Sequence, residues 1–222
     1  MTIDAELAML SEAVYLPEWA DVEAFIAPDW QLSVPFDMGN TEAMLCRRGA
    51  SAAALVFRGT EFSRGVLTDV LANFGTWTLW EGPGSVHAGY YGYVRGVYSA
   101  AKAAVKSIAG APLYVTGHSL GGAAAHIYAA RIACDSDGHQ IDAAVTFGAP
   151  KVFNAESCGV IPYPIRRHVI KGDFAPYWPV NPWLRHPCDP ITHDPPSPGL
   201  SALQRHWIGV YRQVLARDTI TV

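Results

Sequence analysis

The chain has 222 residues, half of them apolar, and a formal net charge of −4 at pH 7. This length and apolar content are enough for one well-packed core, so the sequence predicts a single domain over residues 1–222. A mildly acidic chain without a basic stripe lacks the charges that neutralise phosphates, which argues against nucleic acid as a partner.

The chain also lacks the patterns of membrane insertion and export. No apolar run approaches the roughly 18 to 20 residues that a membrane-spanning helix requires. The first ten residues, MTIDAELAML, carry acidic side chains where a secretory signal carries positive charge. We therefore expect no transmembrane segment and a cytoplasmic location.

Four cysteines are spread widely along the chain, and none belongs to a C-x-x-C pair: Cys46, Cys134, Cys158 and Cys188. This spacing is typical neither of a zinc site nor of a disulfide framework. Because free cysteine is among the most buried residue types, we expect buried free thiols. A single bridge between Cys158 and Cys188 is the alternative that the spacing leaves open.

Strand and helix patterns alternate along the chain. In chain order the predicted elements are a helix over 5–15, strands over 43–48 and 52–59, a helix over 94–108, a strand over 113–116, a helix over 122–134, and strands over 142–148 and 166–172. Such alternation implies crossover connections, and therefore an α/β fold with a central, mostly parallel β-sheet and helices on both faces.

Residues 174–199 differ from the rest in composition. They contain eight of the sixteen prolines of the chain, and each proline removes a backbone donor and fixes φ. We expect a long loop with little regular structure. Long ordered loops are usually functional or wrapped over another part of the molecule.

The stretch VTGHSLGGAAAH, residues 115–126, contains the pattern G-x-S-x-G around Ser119. The pattern alone is weak, but here it lies between a predicted buried strand and an alanine-rich helix, the setting in which a nucleophilic serine is presented. A sharp turn there leaves no room for side chains at 117 and 121, where glycines stand. The alternative is an ordinary helix start capped by a small polar residue.

A nucleophilic serine needs three kinds of partner. The backbone N–H of Leu120, at the predicted helix N-terminus, would point toward an oxyanion. A serine hydroxyl is too weak an acid to attack an ester unaided, so a histidine must accept its proton and a carboxylate must orient that histidine. For a serine at such a strand-to-helix turn, the acid and then the histidine follow in chain order.

Asp173 is the predicted acid. It follows a strand that ends in glycine, and so it stands at the carboxyl edge of a parallel sheet. Asp135, Asp137 and Asp142 lie in or beside the turn before a strand, at the opposite edge, and are interpreted as turn formers.

Three histidines follow Asp173 and are candidates for the base: His186, His193 and His206. His206 precedes an apolar run that is typical of a packed final helix, which would hold its ring rigidly. The other two lie in the proline-rich loop, so the sequence favours His206 and leaves them as alternatives. The segment 186–194 has spacings that a metal could use, but its prolines fix the backbone and no further ligands are evident, so we expect no metal and no organic cofactor.

Five separated blocks of the sequence resemble the class 3 lipase family, the fungal-type triacylglycerol lipases and their plant and bacterial relatives. In chain order they are LVFRGT, VHAGYYGYV, VTGHSLGGAAA, VTFGAPKV and VIKGDFAPYWP. The resemblance extends from about residue 10 to about residue 212, and these blocks in this order are highly specific. The resemblance implies an α/β-hydrolase fold.

Carried over to this chain, the family pattern implies Ser119 as the nucleophile, Asp173 as the orienting acid and His206 as the base. Thr60, in the R-G-T block, would supply the second oxyanion donor alongside Leu120. The remaining histidines outside the proline-rich loop are interpreted as structural: His87, His118, His126, His139 and His168.

Two positions depart from the family pattern near the predicted acid and base. Ala175 replaces the usual valine after the acid, and Arg205 stands where Asp or Ser often precedes the last histidine. The family places a non-catalytic histidine in the loop after the Asp block, which argues against His186 as the base.

In the family, the segment after R-G-[ST] forms a movable lid over the site. Residues 61–80 place five apolar side chains on one helical face: Val66, Leu67, Val70, Leu71 and Phe74. Such a stripe suits a lid that opens onto lipid, and it equally suits a surface helix packed on the core. Trp178, Trp183 and Trp207 flank the predicted acid and base, where they would either line an acyl pocket or simply pack at the edge of the core.

The sequence thus predicts a serine carboxylic-ester hydrolase that works through an acyl-enzyme. The resemblance implies acylglycerols or related lipid esters as substrates, with transient contact at a lipid interface. An esterase of small soluble or aryl esters, without interfacial activation, is the alternative. A non-catalytic binding module is a remote one, because a module has no reason to keep nucleophile, acid, base and oxyanion donor together.

Overall fold

The computed structural model of the chain describes residues 1–38, 41–59, 77–108 and 110–218. In this part of the chain seven strands form one sheet in the order β1-β2-β3-β6-β7-β8-β9, and β4 and β5 form a small separate ribbon. The strands are β1 (Gln31–Met38), β2 (Thr41–Arg48), β3 (Ala52–Phe57), β4 (Trp77–Thr78), β5 (Val86–His87), β6 (Leu113–His118), β7 (Ala143–Phe147), β8 (Ile165–Ile170) and β9 (Pro190–His193).

Helices cover both faces of this sheet, as the sequence predicts. The helices are α1 (Ile3–Ala13), α2 (Trp19–Ile26), α3 (Ala88–Lys106), α4 (Leu120–Cys134), α5 (Ala202–Arg205) and α6 (Ile208–Asp218). Apolar side chains of α3 and α4 pack on one face of the sheet, and those of α1, α2 and α6 pack on the other.

The strands at the centre of the sheet are parallel, from β3 through β6, β7 and β8 to β9. All six residues of β3 and all five of β7 are buried. Strands that are covered on both faces are largely apolar at every position rather than at alternate ones. β3 is apolar throughout, and β7 is interrupted only by Thr146, whose hydroxyl lies 3.2 Å from Nε2 of His126. Parallel strands also direct their carboxyl ends to one edge of the sheet, where the candidate site lies.

The edge strand β1, which pairs antiparallel with β2, is not among the predicted elements, whereas β2 corresponds to the strand predicted over 43–48. Most residues of β1 are exposed, its pairing with β2 shifts register between Leu32 and Val34, and Pro35 lies within it. An edge strand of this kind carries no continuous apolar run and contains a residue that usually interrupts strands, so its pattern is weak.

Two helices begin earlier than their apolar spacing predicts. Helix α3 begins at Ala88 rather than near Val94, because His87 caps its N-terminus and Tyr90 is buried in its first turn. Helix α4 begins at Leu120, directly after Ser119. Its small apolar residues are buried on almost every side, as expected for a helix held between the sheet and a second helix.

Residues 174–199 hold little regular structure, as expected, but they include one short strand, β9, that the sequence does not predict. Residues Pro190 to His193 pair in parallel with β8 and extend the sheet by one strand. Proline is tolerated here because Pro190 is the first residue of an edge strand, where a missing donor costs no ladder bond on the open side. The rest of the segment contains turns and one short 3₁₀ helix at Ala175–Tyr177.

All four cysteines are free, so the alternative of a Cys158–Cys188 bridge is not realised. Cys46 is buried, as expected, but Cys134 is exposed and the other two are half-buried. Cys134 is the last residue of α4, where the helix leaves the core, which explains why the expectation of burial fails there. None of the described helices is long and apolar enough to cross a bilayer.

Buried histidines make the stability of this fold dependent on pH. His87 is almost fully buried, and its Nδ1 accepts a hydrogen bond from the backbone N–H of Tyr90 at 3.4 Å. Burial lowers the pKa of His87 to about 4. Between pH 4 and 6.5 the unfolded chain therefore binds a proton that the folded chain does not, so this contribution to stability is lost as the pH falls through that range.

We predict that His87→Asn weakens this dependence, because asparagine keeps a cap acceptor but does not titrate. Between pH 7.5 and pH 5, the free energy of unfolding should fall by about 2 kcal/mol less in the variant than in the wild type. Urea denaturation at the two pH values measures the difference. An equal fall in both proteins would contradict a buried neutral His87.

Candidate active site

Ser119, His206 and Asp173 form one continuous hydrogen-bonded line. The Oγ atom of Ser119 lies 2.8 Å from Nε2 of His206, and Nδ1 of His206 lies 2.9 Å from Oδ2 of Asp173. All three residues are buried, His206 and Asp173 completely. Because a carboxylate only accepts, Nδ1 carries the hydrogen and the lone pair of Nε2 faces the serine hydroxyl.

The backbone at Ser119 has a conformation that few residues other than glycine adopt. Its φ is 56° and its ψ is −125°, and it is the one described non-glycine residue with positive φ. Such strain persists only where the surroundings enforce it, and it is typical of functional sites. Here the N–H of Ser119 donates to the carbonyl of Phe147 on β7 at 3.0 Å, while its own carbonyl accepts from the first turn of α4.

Glycines let the helix approach the sheet closely at this turn. A Cβ atom on Gly117 would lie 2.4 Å from the carbonyl carbon of Gly121, and one on Gly121 would lie 2.1 Å from the carbonyl oxygen of Phe57. Real Cβ atoms do not approach backbone atoms so closely. The pattern G-x-S-x-G therefore serves a steric need of the turn, as its sequence context predicts.

The strand between the serine and the aspartate ends in a third essential glycine. Ser119 follows β6 and Asp173 follows β8, while β7 between them is followed directly by Gly148, whose φ is +59°. A Cβ on Gly148 would lie 2.8 Å from Oδ2 of Asp173 and 3.0 Å from Nδ1 of His206. Only a residue without a side chain at this position leaves room for the imidazole of His206 to bridge the ends of β6 and β8.

The carboxylate of Asp173 is buried, which would be costly without donors. Its Oδ1 accepts the backbone N–H of Ala175 at 2.9 Å, and its Oδ2 accepts the hydroxyl of Tyr211 at 2.6 Å in addition to His206. Burial and the adjacent carboxylate raise the pKa of Tyr211 above its usual value, so this hydroxyl remains a donor. Sequence reasoning did not single out Tyr211; a tyrosine on the apolar face of the last helix was the available signal, since a buried hydroxyl needs a partner.

His118, interpreted as structural, contacts the predicted base directly. Its Nε2 lies 2.6 Å from the backbone carbonyl oxygen of His206, and its Nδ1 lies 3.0 Å from the hydroxyl of Tyr15. The rings of His118 and His206 are 4.6 Å apart between centroids. The interpretation missed this contact because the two histidines are 88 residues apart in sequence.

The two alternative histidines bind elsewhere. Nε2 of His186 donates to the carbonyl of Pro176 at 2.7 Å, and burial lowers the pKa of His186 to about 3. His193 lies 2.9 Å from His168, which in turn contacts Asp4 at 3.0 Å. The structure therefore brings His206, and neither of these rings, to the serine.

The alternative aspartates stand at the opposite edge of the sheet. Asp142 accepts the backbone N–H of Leu113 at the start of β6, and Asp135 accepts the backbone N–H of Asp137 in the turn after α4. Asp135 also pairs with Lys102, and this interaction is the largest cause of its lowered pKa. These contacts fit the interpretation as turn formers.

The oxyanion donors and the lid are only partly within the described residues. Leu120 is the first residue of α4, so its backbone N–H has no carbonyl partner within the helix. Thr60 and residues 61–76 of the expected lid lie outside the described residues. Of the expected lid, Trp77 and Thr78 form β4, which pairs with β5.

In the described ranges, no group of three His, Cys, Asp or Glu side chains is arranged to hold a metal ion. Of the three tryptophans weighed as pocket residues, Trp178 is half-buried, and Trp183 and Trp207 are 73% and 50% exposed. Trp183 and Trp207 therefore lie on the surface.

The comparisons with known proteins agree with this geometry. The family described as Lipase (class 3) matches residues 54–182, more than half of the chain. No curated protein matches. The native Rhizomucor miehei lipase propeptide complex is similar in structure, with a TM-score of 0.75 and 19% identity over 94% of this chain and 80% of that one.

Lipase II from Rhizopus niveus is also similar, with a TM-score of 0.69 and 23% identity over 83% of this chain and 77% of that one. At these identities the two structures show a common fold, and the family match carries the assignment. The chain belongs to the class 3 lipase family and is a serine ester hydrolase with an α/β-hydrolase fold.

Proposed function

We propose that this enzyme hydrolyses acylglycerols or related lipid esters through an acyl-enzyme on Ser119. The observation that carries the proposal is the unbroken line from Ser119 Oγ through the imidazole of His206 to the carboxylate of Asp173. A serine, a histidine with a fixed tautomer and a buried carboxylate in this order are the parts that acyl transfer requires.

The first half-reaction follows from the hydrogen bonds. Ser119 Oγ attacks the ester carbonyl while its proton passes to Nε2 of His206, and the imidazolium that forms is stabilised by Asp173 through Nδ1–H. The oxyanion is held by the N–H of Leu120 and, by the family resemblance, by Thr60. His206 then gives the proton to the leaving alcohol, which leaves the acyl group on Ser119.

Water completes the cycle by the same route. His206 accepts a proton from water as the hydroxide attacks the acyl carbonyl, and it returns that proton to Ser119 Oγ as the acid leaves. The proton that leaves with the alcohol is thus replaced by one from water, so the three side chains return to their starting state without a metal or an organic cofactor taking part.

Exposed apolar side chains close in sequence to the acid and the base support a lipid substrate. Tyr177, Val180 and Trp183 follow the acid, Leu203 and Trp207 flank the base, and all five are between 45% and 79% exposed. Exposed apolar surface, where it is contiguous, is typical of interaction sites. We infer that the enzyme makes transient contact with a lipid interface. The cytoplasmic location stays a prediction.

The alternative is an esterase of small soluble esters, and acyl-chain preference distinguishes the two. We predict that the rate of hydrolysis of p-nitrophenyl esters rises with acyl length and increases sharply once the substrate aggregates. The exposed apolar side chains that follow the acid and flank the base would then contact an apolar phase. Rates from acetate to palmitate, with and without dispersed interface, provide the measurement. If acetate is hydrolysed fastest and the rates do not change when an interface is present, the soluble-ester alternative is favoured.

Ser119→Ala is the matched control for that series, since it removes one oxygen without adding bulk. It should lower turnover of every ester by several orders of magnitude and abolish labelling by a fluorophosphonate probe. Residual turnover near the wild-type rate would show that hydrolysis does not pass through Ser119.

We predict a smaller loss for Tyr211→Phe. The variant keeps the ring but removes the 2.6 Å donor to Asp173 Oδ2, and a hydrogen bond to a buried charge is worth about tenfold or more in rate if it holds the acid in place. Turnover of a short soluble ester should fall by about tenfold while KM stays nearly constant. An unchanged turnover number would assign Tyr211 to stability alone.

A further inference from the structure

A pair of residues outside the predicted triad connects three parts of the active site. Tyr15 lies in the turn after α1 and His118 precedes the nucleophile on β6, and the two are joined by the 3.0 Å contact between the tyrosine hydroxyl and Nδ1. The rings also meet edge to face, with centroids 6.0 Å apart. Neither residue belongs to the set Ser119, His206 and Asp173.

The hydrogen bonds of His118 fix its tautomer. Nε2 faces the carbonyl oxygen of His206 at 2.6 Å, and because a carbonyl only accepts, Nε2 must carry the hydrogen. Nδ1 is then the lone-pair atom and accepts the hydroxyl hydrogen of Tyr15. Burial, the largest cause, lowers the pKa of His118 well below its usual value, so the ring stays neutral.

The carbonyl that His118 binds lies between two helices. His206 is the C-cap of α5, and α6 begins at Ile208. The N–H of His118, which donates to this carbonyl at 2.6 Å, therefore holds the backbone of the base at the point from which its ring reaches Ser119.

Tyr15 also contacts the end of β3, which leads to Thr60. A Cβ atom on Gly59 would lie 2.1 Å from the tyrosine hydroxyl and 2.5 Å from the carbonyl oxygen of His118. The guanidinium of Arg58 lies 5.7 Å from the centre of the Tyr15 ring. One hydroxyl is thus packed between the strand that leads to the expected oxyanion donor and the histidine that holds the base.

We propose that Tyr15 and His118 are positioning residues for His206: the tyrosine hydroxyl donates to Nδ1 of His118 and so supports the tautomer with hydrogen on Nε2, and His118 anchors the backbone of the base through that hydrogen. The inference rests on the proposed role of His206 as the base. Tyr15 acts through His118, so its contribution should disappear once His118 no longer offers an imidazole.

The test is a double-mutant cycle of Tyr15→Phe and His118→Gln. Two quantities are measured per active site: kcat for a short soluble p-nitrophenyl ester, and the second-order rate of fluorophosphonate labelling at Ser119. The number of serines labelled at completion counts active sites, so partial unfolding lowers that number and not the rates per site. Tyr163→Phe is the matched control, because its hydroxyl donates to the carbonyl of His139 at the opposite edge of the sheet.

We expect Tyr15→Phe to lower both rates by about fivefold to tenfold, and His118→Gln by about tenfold or more, with KM nearly unchanged. The double variant should match His118→Gln within about twofold, since coupled residues are not additive. Tyr163→Phe should stay within about twofold of the wild type.

Three results would overturn the inference. One is a Tyr15→Phe variant with wild-type rates per active site. This result overturns the inference even if His118→Gln fails to fold. A second is a double variant whose loss equals the product of the single losses. The third is a wild-type protein that neither labels nor hydrolyses esters, which would remove the proposed function itself and is distinguished from the first two by the wild-type measurement alone.

Discussion

The imidazole of His206 bridges a serine and an aspartate that stand on two different strands, with a third strand between them. Neighbouring strands lie about 4.8 Å apart, so β6 and β8 are separated by about 10 Å. One imidazole ring with a hydrogen bond on each side spans this gap only if no side chain extends toward the ring from the end of β7, the strand between them. Gly148, at the end of that strand, meets the requirement.

The rest of the structure maintains this bridge. The parallel strands are buried on both faces and hold Ser119 in a strained conformation that an isolated turn would not keep. Buried polar atoms are stable only when each has a partner. Around the bridge the partners come from distant elements: Tyr211 on α6, Ala175 after β8, and His118 with Tyr15 from the first turn of the chain.

Local sequence carries part of this architecture. The alternation of strand and helix patterns predicts a parallel sheet. The glycines around Ser119 predict the sharp turn, because the residues of the turn itself must leave room for one another. Edge strands are different. The strand β1 is largely exposed and β9 begins with proline, so neither has the apolar run by which a buried strand is recognised. Tyr15, Tyr211 and the contact of His118 with His206 depend on pairs far apart in sequence, which no local pattern specifies.

We propose that His206, and not another histidine after the acid, accepts the proton of Ser119. It is tested most directly by comparing the rates of fluorophosphonate labelling of His206→Ala and His186→Ala at equal concentrations of folded protein. The structure predicts that labelling slows by several orders of magnitude in His206→Ala and stays close to the wild-type rate in His186→Ala, whose ring binds the carbonyl of Pro176. Rapid labelling of His206→Ala, with loss in His186→Ala, would contradict the account.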